Sequence, residues 1–205
     1  MPVTTYDLFG QPANPAALTA DASPYTMGVQ FSVTLTAGAT AVLAGIRFFS
    51  AAGAAILPQN IALYAVTGPV QVANQAASWS GAAGSGWVTA LFNTPPALTS
   101  GTAYKGCIFQ NTAANFYSST GAYWSSGAGS GGITNGPLSA PNNAGGNGGQ
   151  DTFSQGAVIG YPNTSFNATN YWIDVVVQVT TPAVQPPAAG GGVSMLKRSL
   201  MLADL

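Results

Sequence analysis

The stretch Asn167–Val179 reads NATNYWIDVVVQV, and the alternation in its second half decides the fold. The side chains that share one face of this stretch are Tyr171, Ile173, Val175, Val177 and Val179. A period of two residues, carried by aromatic and β-branched side chains, is typical of a strand with one strongly buried face. Pro182 ends the pattern because proline cannot donate a hydrogen bond to a neighbouring strand. The stretch therefore predicts a central strand that closes a β-sandwich.

Seven upstream segments show related strand patterns and are separated by turns rich in glycine and proline. They are residues 28–36, 42–50, 60–66, 70–78, 87–93, 103–110 and 115–119. The first of them alternates cleanly, which predicts a buried apolar face and a polar face, including Gln30, toward solvent. Strands at this spacing, without helical periodicity, predict an all-β fold. We expect a single antiparallel β-sandwich of the jelly-roll or immunoglobulin-like kind.

Changes in composition define the expected domain organisation. Residues 1–25 are rich in proline and alanine and should form an arm that packs the Leu8–Phe9 pair on the body; a frayed terminus is the alternative. Residues 26–181 should form the sandwich. The Gly-rich run 121–160 inside it is expected to be a long loop, and such loops are usually functional or disordered. Residues 182–193 form a linker that is stiff at its Pro end and flexible at its Gly end.

Residues 194–205 change character again, because leucine and methionine stand beside two of the four basic residues of the chain. The apolar side chains are Met195, Leu196, Leu200, Met201, Leu202 and Leu205. A short amphipathic peptide on a linker is not stable alone, so it is either disordered or docked in a groove of another chain. We expect docking, which makes these side chains assembly contacts.

The composition excludes several classes of protein. Charged residues make up 4% of the 205 residues, against about 25% in an ordinary soluble domain. A formal net charge of −1 lacks the basic footprint of a nucleic-acid binder. So little charge predicts a surface of small polar residues, much of it against other chains. A single cysteine, Cys107, permits no internal disulfide, and its place in an apolar strand predicts a buried thiol.

The side chains needed for common catalytic and metal sites are missing. The chain has no histidine and no glutamate, so the usual acid–base pairs and zinc-ligand sets cannot be built. Asp151 and Asp174 are the acids of the body, and nothing in the sequence places them together. Residues 147–151 offer oxygens to calcium, but a site with one carboxylate would be weak. We therefore expect no enzyme, no metal and no cofactor.

Aromatic residues around the Gly-rich run are the remaining indication of a binding site. Stacking aromatic rings and neighbouring amide or carboxylate groups are suited to sugars. The predicted ligand-binding residues are Tyr117, Tyr123, Trp124, Asn135, Asp151 and Tyr161. The alternative is that these rings seal the edge of the sandwich beneath the loop. Trp87, Tyr171 and Trp172 lie in predicted strands and should belong to the core.

The N-terminus has neither a positive region nor an apolar stretch typical of a secretory signal, and no segment is apolar for the roughly 18 residues of a membrane span. We therefore expect a protein made in the cytoplasm that is not inserted in a membrane. Release within a virus particle is one route out of the cell that needs no signal.

The order of the motifs LFG, GVQF, GIRFF, GWVTALF, TSGTAY, NGPL and NATNYWIDVVV resembles an uncharacterised β-sandwich domain family. Members of that family are modules of large bacterial surface or secreted proteins and small virion proteins of tailed phages of actinobacteria. The resemblance spans residues 4–181 and brings no catalytic residues with it. It implies an adhesive or structural sandwich.

Two functions follow as expectations. The first is a non-enzymatic structural protein of a tailed-phage virion, at the tail or tail tip or as a capsid decoration protein, anchored by residues 194–205 to other virion proteins or to copies of itself. The second is a carbohydrate-binding adhesion module that recognises glycans of the host envelope.

Overall fold

The computed structural model describes residues 1–10, 17–111, 115–142 and 149–183, and its strands form an antiparallel β-sandwich. The strands are β1 (Val3–Tyr6), β2 (Ala17–Asp21), β3 (Tyr25–Val33), β4 (Thr40–Ser50), β5 (Asn60–Ala65), β6 (Val70–Ala76), β7 (Gly86–Leu91), β8 (Ala97–Leu98), β9 (Ala103–Gln110), β10 (Asn115–Ser119), β11 (Ile133–Asn135), β12 (Leu138–Ala140), β13 (Asp151–Gln155) and β14 (Ile173–Thr180). The described residues contain no helix. The predicted all-β sandwich is thus confirmed.

The strands belong to two larger sheets and one two-stranded ribbon. The front sheet has the order β1-β14-β4-β7, and the short β8 also pairs with β4. The back sheet has the order β11-β12-β3-β9-β5-β6, and β13 also pairs with β3. The ribbon consists of β2 and β10, held by antiparallel pairing. Since β14 lies between β1 and β4, the stretch that opened the sequence analysis is an interior strand of the front sheet.

The core lies between the two sheets and follows the predicted alternation. Ile173, Val175 and Val177 of β14 are fully buried, as are the apolar side chains of β3 that face them. The two sheets pack tightly at Gly106 of β9, where a Cβ atom would lie 2.7 Å from Val175 Cγ1 and 3.0 Å from Ile46 Cδ1. Only a residue without a side chain fits that position without moving its neighbours.

Two expectations about the body are corrected. The Gly-rich run 121–160 is not one long loop, because β11, β12 and β13 lie within it and extend the back sheet. The polar face predicted for residues 28–36 is exposed only at its end. Thr34 and Thr36 are exposed as expected, but Gln30 is buried, and the Gln150 backbone and side chain bond to its backbone. Sequence periodicity could not predict this burial, because Gln150 lies 120 residues further along the chain.

The N-terminal residues extend the front sheet. β1 pairs with β14 in a register that sets Tyr6 opposite Val177, and Leu8 is buried in the core. After β14, the backbone N–H of Thr181 donates to the Pro2 carbonyl at 3.1 Å. The two chain segments that flank the sandwich therefore lie side by side. The predicted assembly contacts lie in residues 184–205, outside the described residues.

Candidate functional site

A cleft of about 410 Å³ opens where β3 begins and the β2–β10 ribbon lies against the sandwich. Its volume falls within the range of about 300–1,000 Å³ that is typical of small-molecule sites. The lining residues are Thr19, Asp21, Tyr25, Met27, Tyr117, Ser119, Gly121, Phe153, Phe166, Asn167, Thr169 and Tyr171. Five of these are aromatic, and most of the others carry a hydroxyl, amide or carboxylate group. We call this feature the aromatic cleft.

Strand register places the rings of the aromatic cleft in mutual contact. Tyr25 opens β3, and Phe153 of β13 lies opposite Met27 in the same pairing. The rings of Tyr25 and Phe153 meet edge-to-face with their centroids 5.6 Å apart, and Tyr117 meets Tyr171 in the same way at 5.6 Å. A third edge-to-face contact, at 6.4 Å, joins Phe153 to Tyr171. Such contacts fix the rings, so the walls are preformed.

The rim of the aromatic cleft is a tight turn after β13 that carries the ring of Phe166. Asn167 and Ala168 both have left-handed backbone conformations, with φ of 50° and 47°. The Ala168 carbonyl accepts a hydrogen bond of 3.0 Å from the Trp124 backbone N–H, which ties the turn to the body. Phe166 remains 61% exposed. An exposed aromatic ring on a backbone held in this way is a contact surface at the mouth of the cleft.

Asp21 is the one charged side chain among the lining residues. One of its oxygens accepts a hydrogen bond of 3.2 Å from the Ser23 backbone N–H. Burial, together with the charge of Asp21 and its hydrogen bond, raises the pKa of the Tyr25 phenol above its ordinary value. The pKa of Tyr117 is raised by burial and then by Asp21. Both phenols therefore stay protonated and can donate hydrogen bonds at neutral pH.

Behind the aromatic cleft, Asp151 lies in the interior with 0% exposure. Its Oδ2 accepts a hydrogen bond of 2.8 Å from the Tyr171 backbone N–H, which holds the Tyr171 segment in place. Burial raises the pKa of Asp151 to about 8, although the Tyr171 N–H, the Trp124 indole and the Lys105 charge act in the opposite direction. Asp151 is therefore mainly a neutral acid at pH 7 and supports the cleft as a structural group.

Lys105 is fully buried on the outer face of the back sheet. Its Nζ donates to the Thr152 hydroxyl at 2.7 Å and to the Pro162 carbonyl at 2.9 Å, and it lies 4.9 Å from the centroid of the Tyr161 ring. Burial lowers the pKa of Lys105 to about 8. Burial also raises the pKa of the neighbouring Cys107 thiol, which keeps it protonated and unreactive.

A second charged group fastens the N-terminal segment to the front sheet. Asp174 of β14 lies opposite Arg47 of β4, with 2.5 Å between carboxylate and guanidinium. Asp7 adds an ion pair of 3.2 Å to the same guanidinium, and Asp174 accepts the Leu8 backbone N–H at 2.8 Å. The guanidinium also lies 4.6 Å from the Trp87 ring centroid. We call this group the Arg47 latch; it anchors residues 7–10 and is structural.

The structure separates the six residues predicted to bind a ligand. Tyr117 alone lines the aromatic cleft. Tyr123 and Trp124 pack instead around Phe9 beside the Arg47 latch, with ring centroids 6.3 and 6.0 Å from the Phe9 ring. Trp124 is 1% exposed, so its ring is part of the core and is not accessible to a sugar. For Trp124 the alternative of a structural ring is the correct one.

The other three predicted residues lie apart as well. Asn135 is exposed, and its amide donates to the Asp7 carbonyl at 2.8 Å. Asp151 is enclosed in the interior, so the prediction that it bonds a sugar is corrected. Tyr161 packs edge-to-face on Tyr64 at 5.7 Å, on the outer face of the back sheet. Of the three expected core residues, Tyr171 and Trp172 are buried, with Tyr171 also facing the cleft. Trp87 is only half-buried, with its ring against Phe49 and the Arg47 guanidinium, so that expectation is corrected.

Sequence reasoning did not find Asp21, Tyr25, Phe153 or Phe166. Asp21 and Tyr25 stand in the motif TADASPY, at the end of the arm predicted for residues 1–25. That motif joins an acid and a turn to the ring that begins β3, and this is the signal available in the sequence. The pairing of β2 with β10, about 100 residues apart, was not visible.

The fold and the aromatic cleft define an antiparallel β-sandwich domain with a preformed cleft of small-molecule size. The chain belongs to the family described as Domain of unknown function (DUF4082), whose profile matches residues 10–173. The expected membership of an uncharacterised domain family is thereby confirmed. No curated protein and no solved structure matches the chain. Within the described ranges there is neither a helix long and apolar enough to cross a membrane nor a group of three or more potential metal ligands.

Proposed function

We propose that this chain is a non-enzymatic structural protein of a tailed-phage particle, exposed at the tail or tail tip or on the capsid. Its sandwich is the displayed body, and residues 194–205 attach it to other particle proteins or to copies of itself. The family resemblance, the very low charge and the apolar C-terminal peptide support this function.

The observation that carries the proposal is that residues which precede the C-terminal segment supply the buried core of the sandwich. Among the described residues, the buried apolar side chains run from Leu8 to Val179, and β1 pairs with β14. The hydrogen bond from the Thr181 backbone N–H to the Pro2 carbonyl continues this β1–β14 pairing beyond the end of β14. Because residues 8–179 already supply this core, we propose that residues 194–205 serve for attachment.

The test is to delete residues 194–205 and to measure both folding and incorporation. The purified body should keep the melting temperature of the full chain, because residues 8–179 supply the buried apolar core of the sandwich. Particles made with the truncated chain should lack it. A matched control replaces the six leucine and methionine residues of the segment with serine at unchanged length. Normal incorporation of both variants would refute attachment through this segment.

The aromatic cleft favours a second candidate function, a carbohydrate-binding adhesion module. Rings combined with hydroxyl, amide and carboxylate groups in a preformed concave site suit a sugar. Binding of the purified protein to isolated host envelopes, competed by soluble envelope glycans, tests this function. The absence of binding would remove it and leave the structural role untouched.

A further inference from the structure

We infer that the aromatic cleft binds an uncharged pyranose ring of a glycan, through the face of Phe166 and the carboxylate of Asp21. This inference rests on the second candidate function and specifies its site and the class of its ligand. It assigns binding to Asp21, Tyr25, Phe153 and Phe166, together with Tyr117.

The first step of the argument concerns the shape and the lining of the cleft. Its volume of about 410 Å³ is that of a small-molecule site. A pyranose ring has C–H groups on its faces and hydroxyls around its edge, so it needs an aromatic surface and polar groups close together. Phe166 offers the surface at the mouth, and Thr19, Asp21, Ser119 and Asn167 offer the polar atoms.

The second step concerns charge. Asp21 is the one charged lining residue, and an ionised carboxylate can accept hydrogen bonds from two neighbouring hydroxyls. The same charge repels a ligand that carries a carboxylate or a sulfate. The protonated phenol of Tyr117 adds a donor for the ring oxygen or a hydroxyl, and the Tyr25 phenol, whose O–H donates to Asp21, adds an acceptor. The cleft therefore favours neutral over acidic sugars.

The third step compares a hydroxylated ligand with an apolar side chain, such as the leucines and methionines of residues 194–205 of another copy. An apolar side chain in the cleft would remove Asp21 from water and give it no new hydrogen-bond donor. Burying polar groups in this way is unfavourable, and for a charged group strongly so. A hydroxylated ligand satisfies the same groups.

The experiment uses the full chain and a printed panel of neutral oligosaccharides built from glucose, galactose, mannose and N-acetylglucosamine. The best ligand is then titrated calorimetrically beside its matched acid, in which the C6 alcohol of the ring is a carboxylate. We expect binding of the neutral form and at least about tenfold weaker binding of the acid. Asp21→Asn should reduce this preference, because the variant keeps the shape of Asp21 but not its charge.

Three variants at two positions separate binding from folding. Phe166 is 61% exposed and Val158 is 76% exposed outside the cleft, so truncating either should leave the melting temperature unchanged. Phe166→Ala should weaken binding about five- to tenfold by loss of one stacking contact. Phe166→Trp should restore it, and Val158→Ala should have no effect.

The outcomes distinguish this inference from the functions proposed above. Equal binding of the neutral and acidic forms, or full binding by Phe166→Ala, overturns the inference but leaves glycan recognition. If no saccharide binds and a synthetic peptide of residues 194–205 binds at the cleft instead, both the inference and the carbohydrate function are refuted. Attachment to the particle through residues 194–205 is judged separately by the deletion experiment.

Discussion

Titration of Asp151 should make the free energy of unfolding fall as the pH rises from 5 to 7. The pKa of this fully buried carboxyl is raised from 3.8 to about 8 in the folded protein. Between these values the folded state holds one proton more than the unfolded state, so a rising pH favours unfolding. One proton changes the free energy of unfolding by about 1.4 kcal/mol per pH unit, which gives roughly 2–3 kcal/mol over this range.

The contribution of Asp151 can be measured without interference from histidine, because the chain has no histidine to titrate in this range. Lys105 contributes only above its folded pKa of about 8, where the unfolded state binds the extra proton and stability rises again with pH. The decline should therefore end near pH 8, and above pH 9 the raised pKa of Cys107 opposes the effect of Lys105. Asp151→Asn resembles the neutral acid, keeps an oxygen for the Tyr171 N–H and should remove the part of the slope that is due to Asp151. Burial also raises the pKa of Asp174, which adds a slope of the same sign that the variant keeps.

Urea denaturation of the two proteins, followed by intrinsic fluorescence at pH 5, 6, 7 and 8, measures the prediction. Wild type should lose stability steadily up to pH 8, and the two curves should converge toward pH 5. A flat wild-type profile, or an Asp151→Asn variant with the wild-type slope, would show that Asp151 is not a buried neutral acid.

Two further predictions concern the core and the Arg47 latch. Gly106→Ala should lower the free energy of unfolding by about 1–3 kcal/mol through overpacking between the sheets. Gly131→Ala is the control, because a Cβ atom there would lie in open space and should change the free energy of unfolding little. Equal urea midpoints for the two variants would contradict the packing described. Arg47→Met should cost about 3 kcal/mol or more, because it leaves the Asp174 carboxylate buried without its cation. Asp7→Asn, at the partly exposed end of the same group, should cost less than half as much; a reversed order in urea denaturation would contradict this account of the latch.

The sequence predicted the architecture where one apolar face is buried and side chains alternate. The stretch before Val179 predicted an interior strand, and β9 has the predicted bounds of residues 103–110. Prediction failed where short strands are surrounded by glycine. β11 and β12 have three residues each, too few for a period of two to be recognised. Their hydrogen-bonded pairing with each other, and of β12 with β3, makes them part of the back sheet although their glycine-rich surroundings are typical of a loop.

The candidate site was less predictable than the fold, because its residues come together through tertiary pairing. Tyr117 was found by its position beside the Gly-rich run, but Asp21 comes to the cleft through the ribbon and Phe166 through the turn before β14. Trp124 illustrates the opposite error. A tryptophan among glycines and serines suggests an exposed ring, yet Phe9 of the N-terminal segment covers it.

The central claim is that the chain is a component of a phage particle, and localisation on the particle tests it most directly. Antibody against the body, conjugated to gold, would be applied to purified particles and viewed by electron microscopy. The account predicts label on intact particles, at the tail end for a tail protein or over the head for a decoration protein. Unlabelled particles, from a lysate in which the protein is present and recognised by the antibody, would contradict the claim.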